Sequence, residues 1–201
     1  MIDRPLRWNF WRPPTLNDLV DRNGARAWDG LDKLQSSCLS VQTRKVKADN
    51  TPIQAEVELT LALDAPDGQH MELQEVVGVD GEGNLQLDFV LTPNGSFRSL
   101  PKMGIQLALD SSFRNCEFEG NLLESYPDRR TAQQWGTWVK TMQELQGEMH
   151  VVPQESGNHE AQYVAFGNSK SKLLFFSKTG LNFSIRAHED SVLTKARRQN
   201  Q

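Results

Sequence analysis

An all-β fold of antiparallel strands is predicted by three features of this sequence. From Ile53 the chain alternates strictly, with Ile53, Ala55, Val57, Leu59, Leu61 and Leu63 on one side and Gln54, Glu56, Glu58 and Thr60 on the other. That two-residue period belongs to a strand with one face on a core and one in water. Further short apolar runs follow at the spacing of a sandwich, separated by clusters of Gly, Asn and Asp. Helical periodicity is confined to two short stretches, and no internal repeat or low-complexity linker breaks the chain. Many short strands with few helices point to two packed sheets in a single domain spanning residues 1–201.

The elements follow in order. Residues 8–18 open on aromatics around Asn9 and turn through Pro13 and Pro14, whose missing N–H groups exclude a regular helix. This is an ordered, irregular lead-in. Asn17 and Asp18 can cap the next element, and Trp28, Leu31 and Leu34 recur at helical spacing, so a short helix is predicted over Ala25 to Leu34. Strands are predicted over Cys38 to Val46, Ile53 to Leu63, Met71 to Val79, Leu85 to Leu91, Ile105 to Leu109 and Phe113 to Phe118. Asp80-Gly81-Glu82-Gly83 is the clearest hairpin turn. Gln133 to Leu145 lacks strand alternation, which places Trp135 or Trp138 at an exposed loop or an interface. Gln162 to Phe166, Lys172 to Ser177 and Leu181 to Ala187 resume the strand pattern, with turns at Gly167-Asn168-Ser169 and Thr179-Gly180. Glu189 to Gln199 carries Val192, Leu193 and Ala196 on one side and is predicted helical.

Composition excludes several classes of function. A chain of 201 residues can bury about 70% of its unfolded surface. A net charge of -4 with 24% charged residues describes an ordinary surface, and basic runs such as Lys195-Ala196-Arg197-Arg198 are short, so no nucleic-acid partner is expected. Cys38 and Cys116 stand alone, without disulfide or metal-ligand spacing, and both read as buried, reduced strand residues. No apolar run approaches the roughly 18 residues of a membrane span, and no signal-peptide core follows Met1, so no membrane partner is expected either. The compartment stays open between the cytoplasm, which is favoured, and export by a signal upstream of residue 1.

One stretch stands out for its chemistry. Val151-Val152-Pro153-Gln154-Glu155-Ser156-Gly157-Asn158-His159 runs from an apolar strand end, through a proline that cannot donate to a ladder, into a tight turn. Gln154 and Glu155 are thereby held at a bend. Upstream, Glu124-Ser125-Tyr126-Pro127-Asp128-Arg129-Arg130 supplies an acid, a phenol, a turn proline and a guanidinium. The two clusters read as complementary halves of a structural corner made of Glu124, Tyr126, Asp128, Arg129, Gln154 and Glu155. In it Arg129 can hold a carboxylate bidentately, while Tyr126 lays its ring on the core.

VVPQESGNH and ESYPDR resemble the paired signatures of the C-terminal, small-chain β-domain of glycoside hydrolase family 2 β-galactosidases, usually VPQENGNR and GPxENYxDR. Asn9-Phe10-Trp11-Arg12-Pro13-Pro14-Thr15-Leu16-Asn17-Asp18 is similar to that family's NFWRAPTDND. Order and rough spacing agree over nearly the whole chain. Leu16 stands where the family has its first Asp, Val20 replaces a Gly, and Glu119-Gly120-Asn121-Leu122 replaces a Gly-x-Gly-Pro run. The resemblance implies an antiparallel β-supersandwich of the galactose mutarotase-like kind with one or two short helices, shortened here at its C-terminal end. It also implies that the catalytic glutamates, and the Mg and Na that the family uses, sit on a TIM barrel outside this chain. The partners implied are the remaining domains of a parent β-galactosidase, a galactoside substrate reached through that parent, and a possible homo-oligomer. The loop after the NFWRAPTDND-like motif, here Asp21, Arg22, Asn23 and Gly24, is implied to reach over the sugar pocket.

Against these stand plainer readings. Glu124 and Glu155 are the attractive carboxylate pair for glycoside hydrolysis, but both read first as hydrogen-bonded anchors of loops near Arg129, so no catalytic residue is assigned. His70, His150, His159 and His188 show no metal-type or epimerase-type spacing and read as surface or turn residues. Trp11 and Trp28 read as core. On sequence alone Asp21 to Gly24 reads first as a helix-entry loop behind a stiff Val20. Two functions stay open: an accessory domain that completes a sugar pocket and supports assembly of a retaining β-galactoside-hydrolysing enzyme, or a stand-alone carbohydrate-binding or aldose-epimerase-like module near Glu155 and His159.

Overall fold

The computed structural model describes residues 2–14, 18, 20, 28, 30–45, 52–94, 100–122, 134–146 and 158–193. Strands make up 65% of these residues and every strand pairing is antiparallel, which is the all-β class expected. Ten strands are described: β1 (Ile2–Asn9), β2 (Gln35–Lys45), β3 (Ile53–Asp64), β4 (His70–Asp80), β5 (Leu85–Asn94), β6 (Gly104–Leu109), β7 (Asn115–Asn121), β8 (Trp135–Thr141), β9 (Asn158–Gly167) and β10 (Lys172–Ser184). They form two compact units, one of residues 26–101 and one of residues 1–25 with 102–201.

The unit of residues 26–101 is a four-stranded meander in the order β2-β3-β4-β5. Direct pairing puts Leu63, Met71 and Pro93 in one row and Leu61, Leu73 and Leu91 in the next, so one face is apolar from strand to strand. Met71, Leu73, Ala62 and Leu63 are buried, while β2 is exposed along its length. The alternation read from Ile53 onward thus lies in a true strand. A register shift between Ile53 and Ala55 sets Ile53 apart from the rest of the series. The β4–β5 turn is closed by Asp80, whose carboxylate accepts the backbone N–H groups of Glu82 and Asn84 at 2.8 and 2.9 Å. Gly83 sits there at φ 85°, a conformation that costs a side-chain-bearing residue free energy. The Asn84 amide and these N–H groups hold the Asp80 carboxyl below its ordinary range.

Two expectations change here. The helix predicted over Ala25 to Leu34 is, among its described residues, a 3-10 turn at Leu31–Lys33, because Gly30 takes φ 90° and Leu34 is already extended. Cys38 is exposed rather than buried, since β2 forms the edge of its sheet.

In the other unit β1 pairs with β6, and a four-stranded sheet runs β10-β9-β7-β8. One face of that sheet builds the core of this unit from Cys116, Phe118, Ala161, Val164 and Phe166, with Leu173, Phe175 and Phe183 packed against them. Strand β1 gives no signal in the sequence, because Pro5 and the charges around it mask any alternation. Gln133 to Leu145, read as irregular, contains β8; it is an edge strand, so its outward residues include apolar ones and the hydrophobic period disappears. The two strands expected around Thr179-Gly180 are one strand, β10. Residues 177–180 loop out between the Phe176–Tyr163 and Leu181–Ala161 pairs, with Gly180 at φ 84° and Gln162 donating to the Ser177 carbonyl at 2.7 Å. The final helix is described over Asp190–Leu193. Among the described residues no helix is long and apolar enough to cross a membrane.

Candidate functional site

The residues singled out for function fall largely outside the described ones. Asp21, Arg22, Asn23 and Gly24 do, and so do Glu124, Tyr126, Asp128, Arg129, Gln154 and Glu155. The flanks of the two signature stretches are described. β7 ends at Asn121, immediately before one signature, and β9 begins at Asn158, at the end of the other. These strands pair antiparallel, with Gly120 opposite Ala161, and β8 begins beside them with Trp135 opposite Asn121. The chain therefore leaves one signature's flank and returns from the other at the same end of one sheet.

That end is tightly built. A Cβ on Gly120 would stand 2.1 Å from the Glu160 carbonyl oxygen and 2.7 Å from the Ala161 Cα, so glycine is what allows β7 and β9 to approach across the register shift. The Trp138 indole donates to the Gly120 carbonyl at 3.0 Å, and Asn121 donates to the Glu160 carboxylate at 3.4 Å. His159 is 4% exposed and packs between Phe118 and Phe183, with ring centroids at 5.7 and 5.3 Å. The expectation of surface histidines is thus corrected for His159. An inward position on β9 surrounded by aromatics makes it a core residue, and the Asn-His that closes a turn in sequence opens a strand in space. At the lead-in motif, Phe10 is buried as expected and Trp11 is half-buried. The Asn9 side chain accepts the Trp11 N–H at 3.0 Å, and Arg12 pairs with Asp18 at 2.7 Å. Val20, just beyond, is 84% exposed.

The opposite face of the same sheet carries a second arrangement. Pairing aligns Leu174, Ala165, Glu117 and Val139 across β10, β9, β7 and β8, and in the adjoining row Phe176, Tyr163, Glu119 and Thr137. Ala165 and Gly167 are buried beneath taller neighbours, leaving a trough of about 430 Å³ lined by Asn115, Glu117, Val139, Asn168, Ser171 and Lys172. Lys172 donates to Glu117 Oε2 at 2.7 Å and the Tyr163 hydroxyl donates to Oε1 at 3.2 Å, so both carboxylate oxygens are engaged. The Lys172 hydrogen bond and charge hold the Glu117 carboxyl below its usual range, and Glu117 in turn raises Lys172. Burial, then the Glu117 charge, raises the Tyr163 phenol. Trp135 donates its indole N–H to Glu119 at 3.4 Å. Nothing in the sequence reading pointed to this cluster, because its members are far apart in the chain and only strand register makes them neighbours.

Antiparallel sheets with almost no helix, and two signature stretches that flank neighbouring strands at one sheet end, define a β-domain of the sandwich class. The chain belongs to the β-galactosidase small-chain family, whose model matches residues 1–201. It is 25% identical to a β-galactosidase of Staphylococcus xylosus over 194 residues, covering 93% of this chain and 18% of that protein. It is 22% identical to a β-galactosidase of Pseudoalteromonas haloplanktis over 219 residues, covering 100% of this chain and 19% of that one. Over 106 residues it is 31% identical to β-galactosidase BgaC of Bifidobacterium adolescentis, covering 52% of this chain and 10% of the relative. The chain thus spans under a fifth of the length of the curated relatives it matches.

Proposed function

We propose that this chain is the accessory β-domain of a β-galactosidase-like glycoside hydrolase, completing the sugar pocket and supporting assembly while the reaction takes place on a barrel outside it. One observation carries the reading: the family model covers residues 1–201, while the matched β-galactosidases are over five times longer. A segment that matches end to end, yet makes up less than a fifth of each enzyme, acts as one part among several.

In this reading Asp21, Arg22, Asn23 and Gly24 form the loop that covers the pocket. The corner of Glu124, Tyr126, Asp128, Arg129, Gln154 and Glu155 holds two loops at the sheet end where β7 stops and β9 starts. The exposure of Val20 supports a lead-in segment that projects from its own unit. Mg and Na belong with the barrel. Among the described residues no three His, Cys, Asp or Glu side chains converge, and no step of the proposal runs through either ion.

The test has two arms. The purified 201-residue chain is expected to leave a nitrophenyl β-galactoside unhydrolysed, and supplying it to a β-galactosidase polypeptide that lacks this domain is expected to restore hydrolysis. Turnover by the chain alone, abolished by Glu124→Gln or Glu155→Gln, would overturn the assignment. So would a partner polypeptide that hydrolyses equally well with and without the chain.

A further inference from the structure

We propose that the trough on the outer face of the β10-β9-β7-β8 sheet is a binding site for a short neutral oligosaccharide. Three independent features of the face converge on that ligand. The first is shape: Ala165 and Gly167 keep the floor low, exposed Leu174 and Val139 flank it in the same row, and the Lys172–Glu117 pair crosses it. Four strands at about 4.8 Å spacing give a track roughly 14 Å across, the reach of a few sugar rings.

The second is the pairing of acceptors with donors. Glu117 presents a carboxylate between the Lys172 ammonium and the Tyr163 hydroxyl, and Asn115 and Asn168 add amides along the same wall. Sugar hydroxyls donate and accept at once, so they match a site in which each acceptor has a donor beside it. Across the lining and the adjoining row Glu117 and Glu119 offset Lys170 and Lys172, which leaves the face without the positive excess that a polyanion would need.

The third is aromatic. Phe176 is 73% exposed and stands directly opposite Tyr163, and Trp135, 48% exposed, is fixed over Glu119 by its indole hydrogen bond. Rings standing from a flat sheet, apolar on their faces with polar groups at their edges, suit the C–H faces of pyranose rings. A lipid surface would find a charged centre, and an extended peptide would find no free strand edge between these four strands.

Binding can be measured on the isolated chain and needs no catalysis, so its failure and the failure of the accessory role are distinguishable. The 201-residue chain, labelled with nitrogen-15, is titrated with galacto-oligosaccharides of two to four units and with cello-oligosaccharides of the same lengths. Saturable shifts are expected in the indole N–H assigned by its loss in Trp135→Phe and in the backbone amides of residues 163–167 and 172–176. Phe176→Ala and Glu117→Gln should each weaken binding about tenfold, the scale of one stacking or one charged hydrogen-bond contribution. Because Phe176 is exposed, that variant is expected to stay folded by circular dichroism. No saturable shift in either series up to on the order of 10 mM sugar would overturn the proposal. Affinity unchanged in both variants would do so as well, and so would self-association of the chain that Phe176→Ala abolishes, because the face would then be a protein interface.

Discussion

Gly120 shows how much one residue decides in this protein. Its missing side chain lets the Glu160 carbonyl come closer than any Cβ would allow, and the same residue's own carbonyl receives the Trp138 indole. Both neighbours that a methyl group would strike are backbone or Cβ atoms and cannot swing away. Gly120→Ala is therefore expected to cost about 3 kcal/mol, at the upper end of ordinary overpacking, read as a lower urea midpoint with unchanged slope. The two cysteines make a second contrast. Cys116 lies in the core, where burial pushes its thiol up to about 12, whereas Cys38 lies exposed on an edge strand. A thiolate-specific reagent at neutral pH should titrate one thiol in the native protein and two in denaturant. Two fast native thiols would show that the β7 core opens more readily than the burial of Cys116 implies.

The strand β10 and its partners carry a pH-dependent element. Lys172 on β10 reaches over β9 to Glu117 on β7, binding together strands that do not themselves pair. The Glu117 carboxyl is held below its unfolded value, so the stabilisation is fully present above the ordinary carboxylate range and is lost as pH falls through the lowered folded value. Lys172→Met should lower the urea midpoint at pH 7, and the difference from the parent should vanish at about pH 2, where the carboxylate is protonated in both states. A difference that persists at the acidic end would assign the effect to the lost lysine stem instead. The two strands expected near Thr179-Gly180 merge into β10 for a related reason. A Gly after a polar residue reads equally as a turn or as a looped-out excursion, and only the pairing of Leu181 with Ala161 makes it the second.

The meander of residues 26–101 exposes a whole edge. β2 runs for 11 residues with none buried, is uncharged from Gln35 to Thr43, and contains no proline. β5 at the other edge carries Asp88 and Pro93, both of which discourage further pairing. In this chain β2 is exposed along its length. Val41→Lys, on the apolar face of that edge and 59% exposed, should raise the concentration at which light scattering first detects association, with little change in the urea midpoint. Association that is indifferent to this substitution would remove β2 as the contact.

The all-β class, most strand positions and the family were legible in the residues. Alternation reports a strand wherever one face is buried and the other wet, and the signatures VVPQESGNH and ESYPDR are runs that composition alone does not produce. Family membership over residues 1–201 agrees with that reading. Exposure and register account for the features that the linear chain could not disclose. Edge strand β8 turns Trp135 and Val139 outward, so no hydrophobic period marks it. His159 looks like a turn residue until β9 aims it between Phe118 and Phe183. Glu117, Tyr163 and Lys172 are 46 and 55 residues apart along the chain, counted from Glu117, and become one cluster only because β7, β9 and β10 lie side by side. Pairing between strands is set by the packing of the whole sheet, and that packing is a property of no single stretch of sequence.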